Sequence, residues 1–112
     1  MIKGMHGLFY TPEAESARNF IKDKLGFEYF DAGEGWLIFS IPKAELAVHP
    51  AEHTRHELCF WCDNLEKTVE SLQAKGVEFG SPIEDAGWGY TTTFNIPGGV
   101  TALLYEPKHP QS

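Results

Sequence analysis

Two histidines occupy matching places in this chain. His6 opens the run His6-Gly7-Leu8-Phe9-Tyr10, and His56 opens His56-Glu57-Leu58-Cys59-Phe60-Trp61. Imidazole titrates near neutrality, donates and accepts hydrogen bonds, and ligates metals. Recurrence at equivalent points of two similar segments favours a site role for this pair. Lining a pocket is the first reading and metal ligation the second. A denser group, His49, Glu52, His53 and His56, falls in a linker and reads as a surface run rather than a metal site. Cys59 and Cys62 form a C-x-x-C. Both lie within one expected strand, where residues three apart point to opposite faces. That placement suits neither a disulfide nor two ligands of one ion, so both are expected to be reduced core thiols.

The elements that would position these residues come in two copies. His6 and His56 are separated by the same interval as Gly26 and Gly76, each of which stands where a helix should end. In the first copy a strand is expected over 3–10. Thr11 suits an N-cap and Pro12 the first helical position. Ala17, Phe20, Ile21 and Leu25 supply the helical stripe. Strands should follow at about 27–31, 35–41 and 45–49, with turns at Gly33-Glu34-Gly35 and Pro42-Lys43. The segment 50–55 links the copies. In the second copy, 56–62 is the first strand and Asp63-Asn64 its closing helix cap. Asp63 with Glu66 forms a capping-box pattern. Leu65, Val69 and Leu72 make the stripe. Strands are expected at 77–80, 88–96 and 100–106, the last two joined by Pro97-Gly98-Gly99. Residues 108–112 read as a frayed tail.

Each copy is therefore β-α-β-β-β. The fold class is α+β: a single domain over 1–112, with modules at about 1–50 and 55–107. The modules would form a curved, mostly antiparallel eight-stranded sheet with the helices outside. The inner face is a cup suited to a small molecule. Trp36 and Trp88 flank corresponding turns and are rim candidates. Phe60, Trp61, Tyr90, Phe94, Leu46 and Leu103 are candidates for the lining, and Tyr10 and Tyr105 could offer a hydroxyl.

A chain of 112 residues with a net charge of −7 and no basic cluster disfavours nucleic acid and anionic membrane as partners. A cationic ligand would be modestly favoured, although solubility alone accounts for the charge. No apolar run reaches the length of a membrane span. No leader is visible, so a cytoplasmic location is expected.

The pattern resembles the vicinal oxygen chelate superfamily: glyoxalases, bleomycin-resistance proteins and extradiol dioxygenases. His6, Arg18-Asn19-Phe20 and Leu25-Gly26-Phe27 carry the resemblance in the first half. In the second half it rests on 56–61, 72–77, Trp88-Gly89-Tyr90 and Pro97-Gly98-Gly99. The resemblance implies a divalent metal (Zn, Ni, Mn or Fe) held by His6 and His56, with Glu106, Glu57 or water completing the shell. The carboxylates depart from the family's pattern. The place of its last glutamate is taken by Leu103, and the corresponding place in the first module by Leu46. Glu106 and Glu45 are displaced by an odd number of residues, which puts them on the other sheet face. The leading expectation is thus a glyoxalase- or bleomycin-resistance-like binding protein with a degenerate metal site and a partly aromatic or apolar ligand. The alternative is a metal-dependent lyase, isomerase or dioxygenase using His6 and His56. The resemblance also implies a homodimer. Its apolar centre would come from 36–39 or 88–94.

Overall fold

The computed structural model describes residues 6–44, 47, 50, 52–54 and 56–108. Leu46, Glu45 and His49 lie outside the described residues. So does most of the strand expected at 45–49.

The first helix, α1, spans Ala14–Phe20 and continues into a π-helical turn over Ile21–Leu25. The Gly26 amide closes that turn on the Ile21 carbonyl at 3.1 Å. In an α-helix, Leu25 would point well away from Phe20, five residues earlier. The wider π turn brings it back to the same side, and both residues pack on the core. Gly26 ends the element in the left-handed region, as its position predicts. Thr11 does not cap the helix directly. The residue at the cap is Glu13, which makes no side-chain cap bond. The Thr11 hydroxyl instead accepts from the Glu13 amide and donates to the Gly98 carbonyl, joining the helix entry to the last hairpin.

Strands β1 (Glu28–Asp31) and β2 (Leu37–Ser40) form an antiparallel hairpin. Its turn is held by the Asp31 carboxylate, which accepts from the amides of Gly33 and Gly35. Strand β3 (Cys59–Trp61) leads into α2 (Leu65–Ala74), followed by β4 (Glu84–Asp85), β5 (Gly89–Ile96) and β6 (Val100–Pro107). Their order is β3-β6-β5-β4, with β3 parallel to β6 and the other pairs antiparallel. The second half is thus a β-α-β-β-β unit whose first strand lies beside its last.

The eight-stranded sheet expected from the sequence is not what the described residues show: six strands form two separate sheets. Residues 6–12 carry no strand. The strand expected at 77–80 is reduced to one bridge, Phe79 to Phe94, with hydrogen bonds from Gly80 to Thr93 and from Asn95 to Glu78. Pro82 offers no amide to extend that ladder, and pairing resumes only at β4. The second helix cap is one residue later than the capping-box pattern suggested. Asn64, not Asp63, receives the Lys67 amide at 3.1 Å.

Both helices lie on one face of the four-stranded sheet. Ala17 and Leu65 join Val77, Phe94, Ile96, Ala102 and Leu104 in the core, with Phe9, Phe20, Leu25, Phe60, Val69 and Leu72 packed around it. Phe94 is its centre at 1 % exposure, with the rings of Phe60 and Phe79 at 6.1 and 5.9 Å.

Candidate functional site: the open sheet face

Strand alternation divides the sheet residues into two sets. On β5 and β6, Thr92, Phe94, Ile96, Ala102 and Leu104 are buried toward the helices. Register places Phe60 with Leu104 in that same set, so Phe60 packs in the core and turns away from the open face. Tyr90 and Glu106, paired directly, fall on the helix side as well.

The other face carries Thr91, Thr93, Leu103, Tyr105, Cys59 and Trp61. Leu103 sits between Thr93 and Cys59, and Tyr105 between Thr91 and Trp61. Trp88, just ahead of β5, stands edge-on to Tyr105 with ring centroids 5.2 Å apart and 49 % of its surface exposed. The Trp61 indole donates to the Lys43 carbonyl at 3.3 Å, fixing one edge of the face. Aromatic side chains with threonine hydroxyls beside them can stack a flat ligand and hydrogen-bond its polar edge. The sequence reading named Trp88, Tyr105, Leu103 and Trp61. It missed Thr91 and Thr93, whose signal is their alternation with the buried Thr92 and Phe94.

The remaining named residues go elsewhere. Trp36 lies under the Arg18 guanidinium, 4.7 Å from its ring centroid, tying α1 to the β1–β2 hairpin. Tyr90 is covered by the Lys108 ammonium at 4.8 Å, and Lys108 pairs with Asp85 at 2.8 Å. Tyr10 is largely exposed. His6 and His56 are both exposed. Their segments meet where Gly7 faces Leu58, whose side chain would stand 3.2 Å from a Cβ at position 7. Glu106 turns to the helices, where Oε1 accepts from the Leu65 amide at 2.9 Å. Among the described residues, no three His, Cys, Asp or Glu side chains gather as a metal-binding group. Within one chain, then, His6, His56 and Glu106 are not gathered into one such group.

Cys59 and Cys62 are free thiols. Burial, and then the Glu57 carboxylate, push the Cys59 thiol up to about 11. Burial raises Cys62 too. Neither presents a thiolate nucleophile at neutral pH.

A β-α-β-β-β unit with one face under helices and the other open defines a small α+β fold. The sequence model of the Glyoxalase/Bleomycin resistance protein/Dioxygenase superfamily matches residues 5–108, and the chain belongs to that superfamily. Among curated proteins it is 26% identical over 110 residues to the uncharacterised protein YetH of Bacillus subtilis (strain 168), covering 87% of this chain and 92% of YetH. Its fold is similar to that of TnmS3, an antibiotic-binding protein from Streptomyces sp. CB03234, with a TM-score of 0.68 and 23% identity over 96% of this chain and 99% of that one. A lactoylglutathione lyase from Agrobacterium tumefaciens shares the fold at a TM-score of 0.66 and 14% identity, with 92% of each chain covered. No helix among the described residues is long and apolar enough to cross a membrane.

Proposed function

We propose that this protein binds a small, partly aromatic or apolar molecule on the open face of the β3-β6-β5-β4 sheet, without metal chemistry. The observation that carries the reading is the Trp88–Tyr105 pair at 5.2 Å, with Leu103 and Trp61 on the same face and Thr91 and Thr93 alongside on β5. Leu103 adds support. It takes the place where glyoxalase-like relatives carry a glutamate ligand, and its side chain is on the open face. Glu106 is engaged by α2 on the other side. TnmS3, whose fold is similar, is an antibiotic-binding protein.

The working form is a homodimer. The β1–β2 hairpin bonds to no third strand among the described residues and exposes Tyr29, Phe30 and Trp36. Unpaired strand edges and clustered apolar side chains favour pairing with a second copy.

A thermal-shift screen across aromatic compounds, thiol adducts and antibiotics tests the reading. At least one class should raise the melting temperature in a concentration-dependent way and quench tryptophan fluorescence. A flat response would overturn it. Metal analysis of protein purified without chelator is the second arm. A full equivalent of a transition metal would replace this reading with a metal-dependent activity of His6 and His56.

A further inference from the structure

We propose that the groove between α2 and the π-helical turn is an anion site that takes a compact, multiply charged phosphate such as pyrophosphate. The groove has a volume of about 470 Å³ and is lined by Lys24, Lys67 and Lys75 together with Thr68 and Ser71. It lies on the helical side of the molecule, away from the open sheet face, and does not depend on the ligand proposed there.

Three observations carry it. First, cations are scarce in this chain, 9 Lys and Arg against 16 acidic residues, yet three of these residues line this one groove. Second, α2 is sorted by charge. Lys67, Ser71 and Lys75 recur at four-residue spacing along the flank facing Lys24, whereas Glu66 and Glu70 occupy the opposite flank. Glu66 and Glu70 are themselves four apart, a like-charge spacing that slightly destabilises an isolated helix. Lys67 has no ion pair among the described residues. Third, the exposed Lys75 ammonium lies 3.5 Å from the Lys24 carbonyl, which brings this cation from the end of α2 to the π-helical side of the groove.

The ligand chemistry follows from the donors. Lysine ammonium groups are compact point charges that suit phosphate without demanding planar, bidentate geometry. The Ser71 hydroxyl adds a donor for a remaining oxygen, whereas the single proton of the Thr68 hydroxyl is already given to the Asn64 carbonyl at 2.7 Å. Among the described residues, Asp63 is the only carboxylate in the lining. It stands at the α2 entrance and sets which end of the groove an anion avoids.

Calorimetric titration with sodium pyrophosphate, against sodium chloride at matched ionic strength, is the test. Nitrogen-15 amide shifts recorded in parallel locate the binding. Saturable binding is expected, with shifts centred on Lys24, Lys67, Thr68 and Ser71. Each exposed ammonium is worth about 2- to 5-fold in affinity, so the K67Q/K75Q double variant should bind about 10-fold more weakly. E66Q/E70Q, on the other flank, should stay within about twofold of the parent. Near-UV circular dichroism confirms that each variant is folded. A response reproduced by chloride, an unchanged affinity in K67Q/K75Q, or shifts centred outside the groove would each overturn the proposal.

Discussion

The carboxylate of Glu106 accepts a hydrogen bond from the backbone amide of Leu65 at 2.9 Å, across 41 residues of chain. Leu65 is the first residue of α2 and is buried at 1 % exposure, so its amide has no intrahelical partner and no water. The last strand thereby caps the helix that packs on it. Glu106→Ala should destabilise the protein by about 1–2 kcal/mol, whereas Glu106→Gln, which keeps an acceptor oxygen, should cost less than half of that. Urea denaturation followed by circular dichroism measures both. Equal losses in the two variants would show that the carboxylate's charge, not its acceptor, matters.

Asn64 caps the same helix from its own side, accepting from Lys67. Asn64→Ala should cost about 1 kcal/mol, and Asn64→Asp should be neutral or slightly stabilising because an anion suits a helix N-terminus. The two caps use different amides of one turn. A double-mutant cycle of Asn64→Ala with Glu106→Ala should show a coupling within about 0.5–3 kcal/mol, not simple additivity.

Much of this was legible in the sequence. The helix at 65–74, the two long strands and the hairpin at Pro97-Gly98-Gly99 followed from apolar periodicity and turn residues, all of which act locally. The parity of β6 was legible too. An odd offset from Leu103 places Glu106 opposite the open face, and it lies there. What failed had non-local causes. Asp63 and Asn64 are equally good caps by type, and Asn64 is the one that reaches the Lys67 amide. Phe60 and Tyr90 looked like pocket aromatics, but register with Leu104 and Glu106 turns both to the helix side. Trp36 looked like a rim residue, and the Arg18 guanidinium over its ring comes from a helix that no local pattern ties to that hairpin.

Gly98 has φ of 100° and faces Thr11, whose hydroxyl donates to the Gly98 carbonyl at 2.8 Å. A Cβ there would collide with the Thr11 side chain and sit in a backbone region that only glycine occupies freely. Gly98→Ala should therefore destabilise by at least about 1 kcal/mol. Gly99 has a positive φ of 77° with open space around it, so Gly99→Asn should be tolerated far better. Melting temperatures of the two variants make the comparison. A Gly98→Ala variant as stable as Gly99→Asn would refute the close approach.

The Cys59 thiol, pushed up to about 11 by burial and Glu57, is protonated at neutral pH. Its alkylation by iodoacetamide at pH 8 should be much slower than that of a free cysteine and should accelerate only toward pH 11. Because the folded state holds this proton more tightly than the unfolded chain, the associated stability is complete below about pH 8.5. It is lost as pH rises toward 11. Glu57→Gln should move the alkylation profile to lower pH by removing the neighbouring negative charge. Burial, the larger cause, stays in place, so the profile should remain above that of a free thiol. A profile unmoved by Glu57→Gln would mean that the carboxylate does not act on Cys59.

Phe30 provides the test of assembly. It lies on β1 across from Ile38, is 61 % exposed, and belongs to a hairpin that pairs with no other strand among the described residues. Within one chain Phe30 buries little, so Phe30→Lys should change the stability of a lone protomer by no more than about 0.5 kcal/mol. Across a twofold interface the outcome differs sharply. Each hairpin would meet its own symmetry mate, and one substitution would place two ammonium groups in the apolar centre. Light scattering after size exclusion should then fall from about twice the chain mass of 12.6 kDa to about one chain mass, with the far-UV spectrum unchanged. If the parent protein already runs as a monomer at high micromolar concentration, the dimer is wrong. If Phe30→Lys remains fully dimeric, the hairpin is not its centre, and the strand at 89–96 becomes the segment to substitute next.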